Sequence, residues 1–286
     1  MISFETGRLC IVTGVPSHGK SEFVDEITTL LNTRYGLKFA YFSPENHPLP
    51  YLVSKLASKI TGKPFDKEKL KPSEFEQVCS HIENNYFFIN PEENFTIDTI
   101  LEKASYLVKK SGIKGLVIDP YNAVEHQIPP GMSETNYISK LLGQLTDFAR
   151  KKDVLVFLVA HPRKMNKNTS GVVESPNLYD INGSANFFNK ADFGLTVYRD
   201  RVNDLVRIEV HKVKFRHLGQ NGNVNFKYNL DNGRYVEYHD ETTIQWNNKS
   251  YLVPQNTQSD IAFSETTPPE SKEDFFTTLE NKDLPF

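Results

Sequence analysis

Apolar residues follow two rhythms along this chain. Unbroken apolar stretches of strand length occur at 8–14 (RLCIVTG), 38–45 (KFAYFSPE), 86–90 (YFFIN), 115–119 (GLVID) and 154–162 (VLVFLVAHP). Short, β-branched runs of this kind predict strands covered on both faces. Between them, apolar positions recur three and four apart. Val24, Ile27, Leu30 and Leu31 mark a helix that stops at Gly36. Ile97, Ile100, Leu101, Ala104, Leu107 and Val108 mark a second, and Ile138, Leu141, Leu142, Leu145 and Phe148 a third. Residues 51–60 and 71–82 read as two more helices. From residue 191 the helices cease, and 191–200, 205–215, 223–230 and 233–239 follow one another as strands. The alternating part predicts an α/β fold, a mostly parallel sheet with helices on both faces. The strand-only part predicts an antiparallel C-terminal extension. The chain carries no internal repeat.

The first strand and first helix flank GVPSHGKS, residues 14–21. Gly14 and Gly19 bracket four residues, and Lys20 and Ser21 follow at once. A glycine-rich turn between a buried strand and a helix N-terminus is a phosphate cradle. Lys20 would reach the terminal phosphates, and Ser21 would hold Mg²⁺. Ligands of open α/β sheets sit beyond the carboxyl ends of the strands, so the residues there matter next. Asp119 ends the strand at 115–119, as a cap or as an acid at the metal. Glu45 ends the strand at 38–45, as an exposed loop carboxylate or as a base for water. His161 ends the strand at 154–160, followed by Arg163, Lys164 and Lys167, which puts a candidate phosphate sensor beside a basic loop.

Composition narrows the partners. Only Cys10 and Cys79 are present, and no Cys/His cluster has metal-ligand spacing, which argues against zinc,. Cys10, inside the first strand, reads as a small buried hydrophobe. No apolar run approaches about 18 residues, so no membrane partner is expected. With no signal or transit peptide before the first strand, the chain is expected in the cytoplasm of a bacterium or a phage-infected cell. Residues 254–286 hold seven Asp and Glu against two Lys, while the whole chain carries −3, which leaves the body slightly basic. A polar, acidic segment with little to bury is expected to be disordered. The domain reading is therefore 1–240 for the folded body and 241–286 for a polar, acidic tail.

The ordered set GVPSHGKS, YFSPE, GLVIDPYN, VAHPRK, INGSANFFNKAD and KVKFRHLGQNG resembles the helicase domain of the DnaB-like hexameric replicative helicases, above all the Twinkle-type and phage primase-helicases. It spans roughly 5–238. The resemblance implies a RecA-like P-loop ATPase. By matching position, Lys20 and Ser21 bind phosphates and Mg²⁺, Glu45 activates water, Asp119 is the second acid at the metal, and His161 senses the γ-phosphate of ATP. Arg199 and Tyr228 match positions that sandwich the base. Arg163, Lys164 and Lys167, with Asn182, Gly183 and Ser184, match loops that face single-stranded DNA. Two positions depart from the pattern. His18 replaces a small residue before Gly-Lys; its ring can point to solvent or alter the flexibility of the phosphate loop. The arginine finger belongs where Lys214 stands, with Arg216 two residues later; strand alternation would put Lys212, Lys214 and Arg216 on one face, leaving either as the finger.

The resemblance implies a 5′→3′ replicative DNA helicase motor working as a homo-oligomer, a hexameric ring. The alternative is a RecA-like recombinase or accessory DNA-binding ATPase that does not unwind. A nucleotide-operated switch is a third reading, disfavoured by Glu45 and Lys20. Family members carry an N-terminal primase-like domain and a linker helix. Here these lie on another polypeptide, are missing from a fragment, or are dispensed with. The ending NKDLPF, with Asp283 and Phe286, resembles the acidic tip of single-stranded DNA-binding proteins. It is expected either to recruit a primase or other replisome protein or to solubilise the chain.

Overall fold

The computed structural model describes residues 2–90, 95–163, 174–181 and 184–252. Nine strands form one sheet in the order β3-β2-β4-β5-β1-β6-β7-β8-β9. Its parallel part contains β1 (Leu9–Thr13), β2 (Phe39–Phe42), β3 (Tyr86–Phe88), β4 (Gly115–Ile118), β5 (Leu155–Val159) and β6 (Phe193–Asp200). β7 (Leu205–Val213), β8 (Gly222–Tyr228) and β9 (Tyr235–Glu237) extend it as an antiparallel meander. The mixed architecture expected from the two rhythms is present.

The unbroken apolar runs have a simple cause. Successive side chains in a strand point to opposite faces. Leu9 and Ile11 enter one core with Val156 and Leu158, and Cys10 and Val12 enter the other with Phe157 and Val159. Helices cover both faces: α1 (Lys20–Tyr35), α2 (Pro50–Thr61), α3 (Pro72–Asn85), α4 (Ile97–Ser111), α5 (Glu134–Lys152) and the short α6 (Ser184–Lys190). The α4 start is capped by Thr96, whose hydroxyl accepts from Thr99 N–H at 3.3 Å, and Gly112 ends the helix in the left-handed region,. No helix among the described residues is long and apolar enough to cross a membrane.

The described body continues beyond β9. Arg234 is buried, and its guanidinium donates to the carbonyls of Lys59 and Ile60 on α2 and of Asn247 and Lys249 beyond the last strand. It also lies 3.6 Å from the Tyr251 ring centre. Asn232 donates to Gly62 O and to Asn248 Oδ1, each at 3.0 Å. Residues 253–286, including the acidic stretch and its Pro-Phe ending, lie outside the described residues.

Two strand-level expectations need correction. The strand read over 205–215 stops at Val213, and Arg216 opens a short 3-10 turn, Arg216–Leu218. Lys212, Lys214 and Arg216 therefore do not share a strand face. Lys214 still pairs with Asp192 at the end of the β6–β7 ladder: its N–H donates to Asp192 O at 2.9 Å, and its Nζ lies 3.2 Å from Asp192 Oδ1. Phe215 then packs under the Arg8 guanidinium, 4.1 Å from the ring centre.

Candidate nucleotide-binding active site

β1 delivers the phosphate loop to the centre of the sheet's carboxyl edge. Thr13 Oγ1 donates to Ala160 O at 2.9 Å, which ties the end of β1 to that of β5. Gly14 follows at φ 151°, and a Cβ there would overlap the Val197 carbonyl of β6. Only glycine admits that backbone approach. Gly19 sits in the left-handed region at φ 91° and caps α1. Lys20 is 5% exposed and folds over the loop, donating from Nζ to Gly14 O at 2.9 Å and Val15 O at 3.2 Å. Burial pushes its pKa down to about 8, with Asp119 and Glu45 opposing the shift.

The other strand ends converge on the same place. A cavity of about 410 Å³ is lined by Gly19, Lys20, Ser21, Glu45, Asp119 and His161, with Arg199, Tyr228 and Tyr235 from the antiparallel side. Asp119 is 5% exposed, and its pKa is pushed up to about 6, chiefly by burial and against a hydrogen bond with the Ser21 hydroxyl. A carboxylate beside a hydroxyl is a hard, all-oxygen donor pair, the chemistry Mg²⁺ selects. Glu45 follows β2 and is open to solvent, its side chain 63% exposed, with Oε1 3.9 Å from His161 Nε2. Burial, with help from Lys20, holds His161 below the usual histidine range, so the ring is neutral near pH 7. Its Nδ1 is buried without a hydrogen-bond partner.

His18 does not point to solvent. It is 9% exposed, and its Nδ1 accepts from Arg199 N–H at 3.0 Å. A backbone N–H only donates, so Nδ1 is the unprotonated nitrogen and the neutral ring carries its proton on Nε2. Burial first, then Arg201, Lys20 and Arg199, lower the His18 pKa to about 4. The ring also meets Tyr198 edge-on at 5.2 Å. The β1–β6 pairing explains the placement. Thr13 faces Thr196, so the residues that continue β6 run beside the phosphate loop.

Sequence reasoning missed a charged cluster at the cavity, two of whose members, Glu22 and Lys55, line it. Glu22, Asp25 and Glu26 of α1 face Lys55 and Lys59 of α2. Lys59 is fully buried and donates to the Gly233 carbonyl, and Tyr228 OH donates to Glu22 Oε2 at 3.1 Å. The signal was present as acids three and four apart on one helix and lysines four apart on the next.

Some expected residues lie elsewhere. Lys214 and Arg216 are not among the cavity's lining. Lys214 is occupied by Asp192, whereas Arg216 is exposed and pairs with no carboxylate among the described residues. Arg163 is exposed, its Nη2 3.6 Å from Asp180 Oδ1. Lys164, Lys167, Asn182 and Gly183 lie outside the described residues, and Ser184 opens α6.

Comparison with known proteins agrees with this fold. The family model described as DnaB-like helicase C terminal domain matches residues 1–237. The chain is 36% identical over 251 residues to the Twinkle homolog protein, chloroplastic/mitochondrial, of Arabidopsis thaliana, covering 83% of this chain and 35% of that protein. It is 24% identical over 204 residues to a probable replicative DNA helicase of Trieres chinensis, covering 69% of this chain and 44% of that protein. The chain thus spans less than half the length of either relative. Two solved structures share the fold at 18% identity, each aligned over 82% of this chain. One, described as an ATPase domain, superposes with a TM-score of 0.67 over 86% of its own length. The other, a DnaB-like replicative helicase described with its interactions with primase, superposes with a TM-score of 0.66 over 59% of its length.

Proposed function

The chain belongs to the DnaB-like helicase C terminal domain family, and from that premise we propose that it is an ATP-hydrolysing motor that moves 5′→3′ on single-stranded DNA and unwinds duplex. One observation carries the reading. Lys20, Ser21, Glu45, Asp119 and His161, drawn from four different strand ends, line one cavity with Arg199 and Tyr228. A fold alone does not imply an activity, but a site of this composition does.

In the proposed reaction Arg199 and Tyr228 hold the base, and the loop N–H groups and Lys20 hold the phosphates. Ser21 and Asp119 would hold Mg²⁺, which supplies charge neutralisation on the phosphates when bound. Glu45 takes a proton from water as its oxygen attacks the γ-phosphorus and the bond to the leaving diphosphate breaks. His161, 3.9 Å from Glu45, reads the presence of the γ-phosphate. Arg163, Lys164 and Lys167, with the turn at Asn182, Gly183 and Ser184, contact the DNA backbone without regard to sequence. The working form is a homo-oligomeric ring in which Arg216 completes the neighbour's site. The acidic C-terminal stretch recruits a primase or another replisome protein.

Glu45→Gln is expected to bind ATP normally and to lose at least about 100-fold in turnover, the scale of a general base. Lys20→Ala should weaken nucleotide binding instead. Wild-type turnover in Glu45→Gln would remove Glu45 from the chemistry. Strand displacement on a forked substrate tests the motor. ATP turnover without displacement would favour a DNA-binding ATPase that does not unwind.

A further inference from the structure

Glu45 stands on an exposed turn, yet a water-activating carboxylate must be held to within a fraction of an ångström. Its turn is closed twice by Asn46. The Asn46 N–H donates to Ser43 O at 3.1 Å, and its Nδ2 donates to Ser43 Oγ at 2.7 Å. The remaining polar atom, Asn46 Oδ1, accepts from Lys55 Nζ of α2 at 3.3 Å. The same ammonium lies 2.9 Å from Glu22 Oε1 and 3.0 Å from Asp25 Oδ2 on α1. Glu22 in turn accepts from Tyr228 OH through its other oxygen, at 3.1 Å. A continuous polar chain therefore runs from Tyr228 through Glu22 and Lys55 to Asn46.

We propose that Lys55 is a positioning residue that couples the base platform at Tyr228 to the turn carrying Glu45. It rests on the reading that Glu45 activates water. An ammonium suits the post. It has three donors and no acceptor, and here three acceptors from two elements surround it. Asp25 is almost fully buried, so an ammonium held there has little freedom to leave. Movement of the Tyr228 hydroxyl when a base stacks on its ring would pass to Glu22, then through the shared ammonium to Asn46. Glu45 would then reach its working position only when the base site is filled.

The test measures ATP affinity with a non-hydrolysable analogue, and kcat and KM with ATP, in the full chain. Lys55→Met should lower kcat about 10-fold, a modest misplacement on the scale of positioning effects, with affinity within about two-fold of wild type. Lys55→Arg, whose planar fork can still bridge the same acceptors, should recover most of the loss. Removing Lys55 also leaves the buried Asp25 carboxylate uncompensated. Asn46→Ala provides the second variant, because it cuts the link from the turn side and leaves the Glu22 and Asp25 pairs intact. It should lower kcat alone, and the double variant should lose less than the sum of the two single losses, since the Lys55–Asn46 contact is counted in both. Tyr228→Phe keeps the ring and loses only the hydroxyl, and should also lower kcat at unchanged affinity. Wild-type kcat in Asn46→Ala, additive losses in the double variant, or wild-type kcat in Tyr228→Phe would overturn the coupling. A slow Glu45→Gln beside a fast Asn46→Ala fells only this inference, whereas a fast Glu45→Gln fells the reading beneath it.

Discussion

In β1, β4 and β5 every residue is buried, whereas along β7 buried and half-exposed residues alternate. The parallel half is packed by helices on both faces; β7 sends Val206, Ile208 and Val210 into a core, with Val213 packed partly buried against it. The division runs through the cavity as well. Lys20, Ser21, Glu45, Asp119 and His161 come from the doubly covered half. Arg199, Tyr228 and Tyr235 come from β6 beyond its buried part and from the meander. The groups assigned to phosphate thus follow the strands packed on both faces, where a shift of one side chain would have to move a packed layer. Groups that would grip the base, or reach a neighbour, stand where packing is thinner.

The largest effect that can break this division concerns Arg216, beyond the end of β7. A finger acting across an interface is worth about 10³ in rate. Arg216→Ala subunits have intact phosphate sites, and Lys20→Ala subunits have intact fingers. Each alone should be nearly inactive, and mixing them should restore ATPase activity at interfaces that combine a good Lys20 with a good Arg216. Lys214, held by Asp192 within its own subunit, is the alternative finger. Failure of recovery in rings shown to exchange subunits would exclude Arg216 and send the same experiment to Lys214.

A smaller effect tests the basic loop beyond β5, which belongs to the stiff half in sequence but is assigned to DNA. Replacing Arg163, Lys164 and Lys167 with Ala should reduce the slope of log affinity against log salt by about 0.7 per lost contact on single strands. DNA stimulation of the ATPase should disappear while basal turnover remains. An unchanged slope in fluorescence titrations would make these residues a solvated loop and leave DNA to other elements.

The smallest effect concerns His18, which stitches the two halves together through Arg199 N–H. Its pKa of about 4 lies below the usual 6.5 because burial disfavours the ring's charged form. Between those values the unfolded chain binds a proton that the native ring refuses, so stability falls as pH drops from 6.5 towards 4. His18→Asn supplies an acceptor in place of Nδ1 but cannot titrate. In urea unfolding, the wild type should lose ground to His18→Asn as pH falls through this window, with a constant difference above pH 7. A pH-independent difference throughout would show that the ring does not remain neutral in the native state.

Much of the fold was legible because its cause is local. The runs at β1, β4 and β5 record burial on both faces, and Gly36 after α1 records a helix end. Glu45, Asp119 and His161 were found because each closes an apolar run, and strand ends meet ligands in such sheets. What stayed hidden depends on contacts distant in sequence. Strand alternation continued past Val213 on paper, but the strand ends there and Arg216 opens a 3-10 turn. His18 looked free because its partner is 181 positions away. Lys55 gave no signal inside its helix, since only the packing of α2 on α1 reveals its three acceptors.

The clasp at Arg234 carries a practical lesson about where the body can be trimmed. A cut after β9 would keep every strand of the sheet yet remove the Asn247 and Lys249 carbonyls and the Tyr251 ring. The guanidinium would remain with its Nη1 stripped of both acceptors, and an unsatisfied buried donor costs about 1–3 kcal/mol, more when charged. That penalty would fall on α2, since the same arginine holds Lys59 O and Ile60 O, and α2 is the helix that carries Lys55. A shortened version that behaves like the parent therefore has to retain the chain through Leu252.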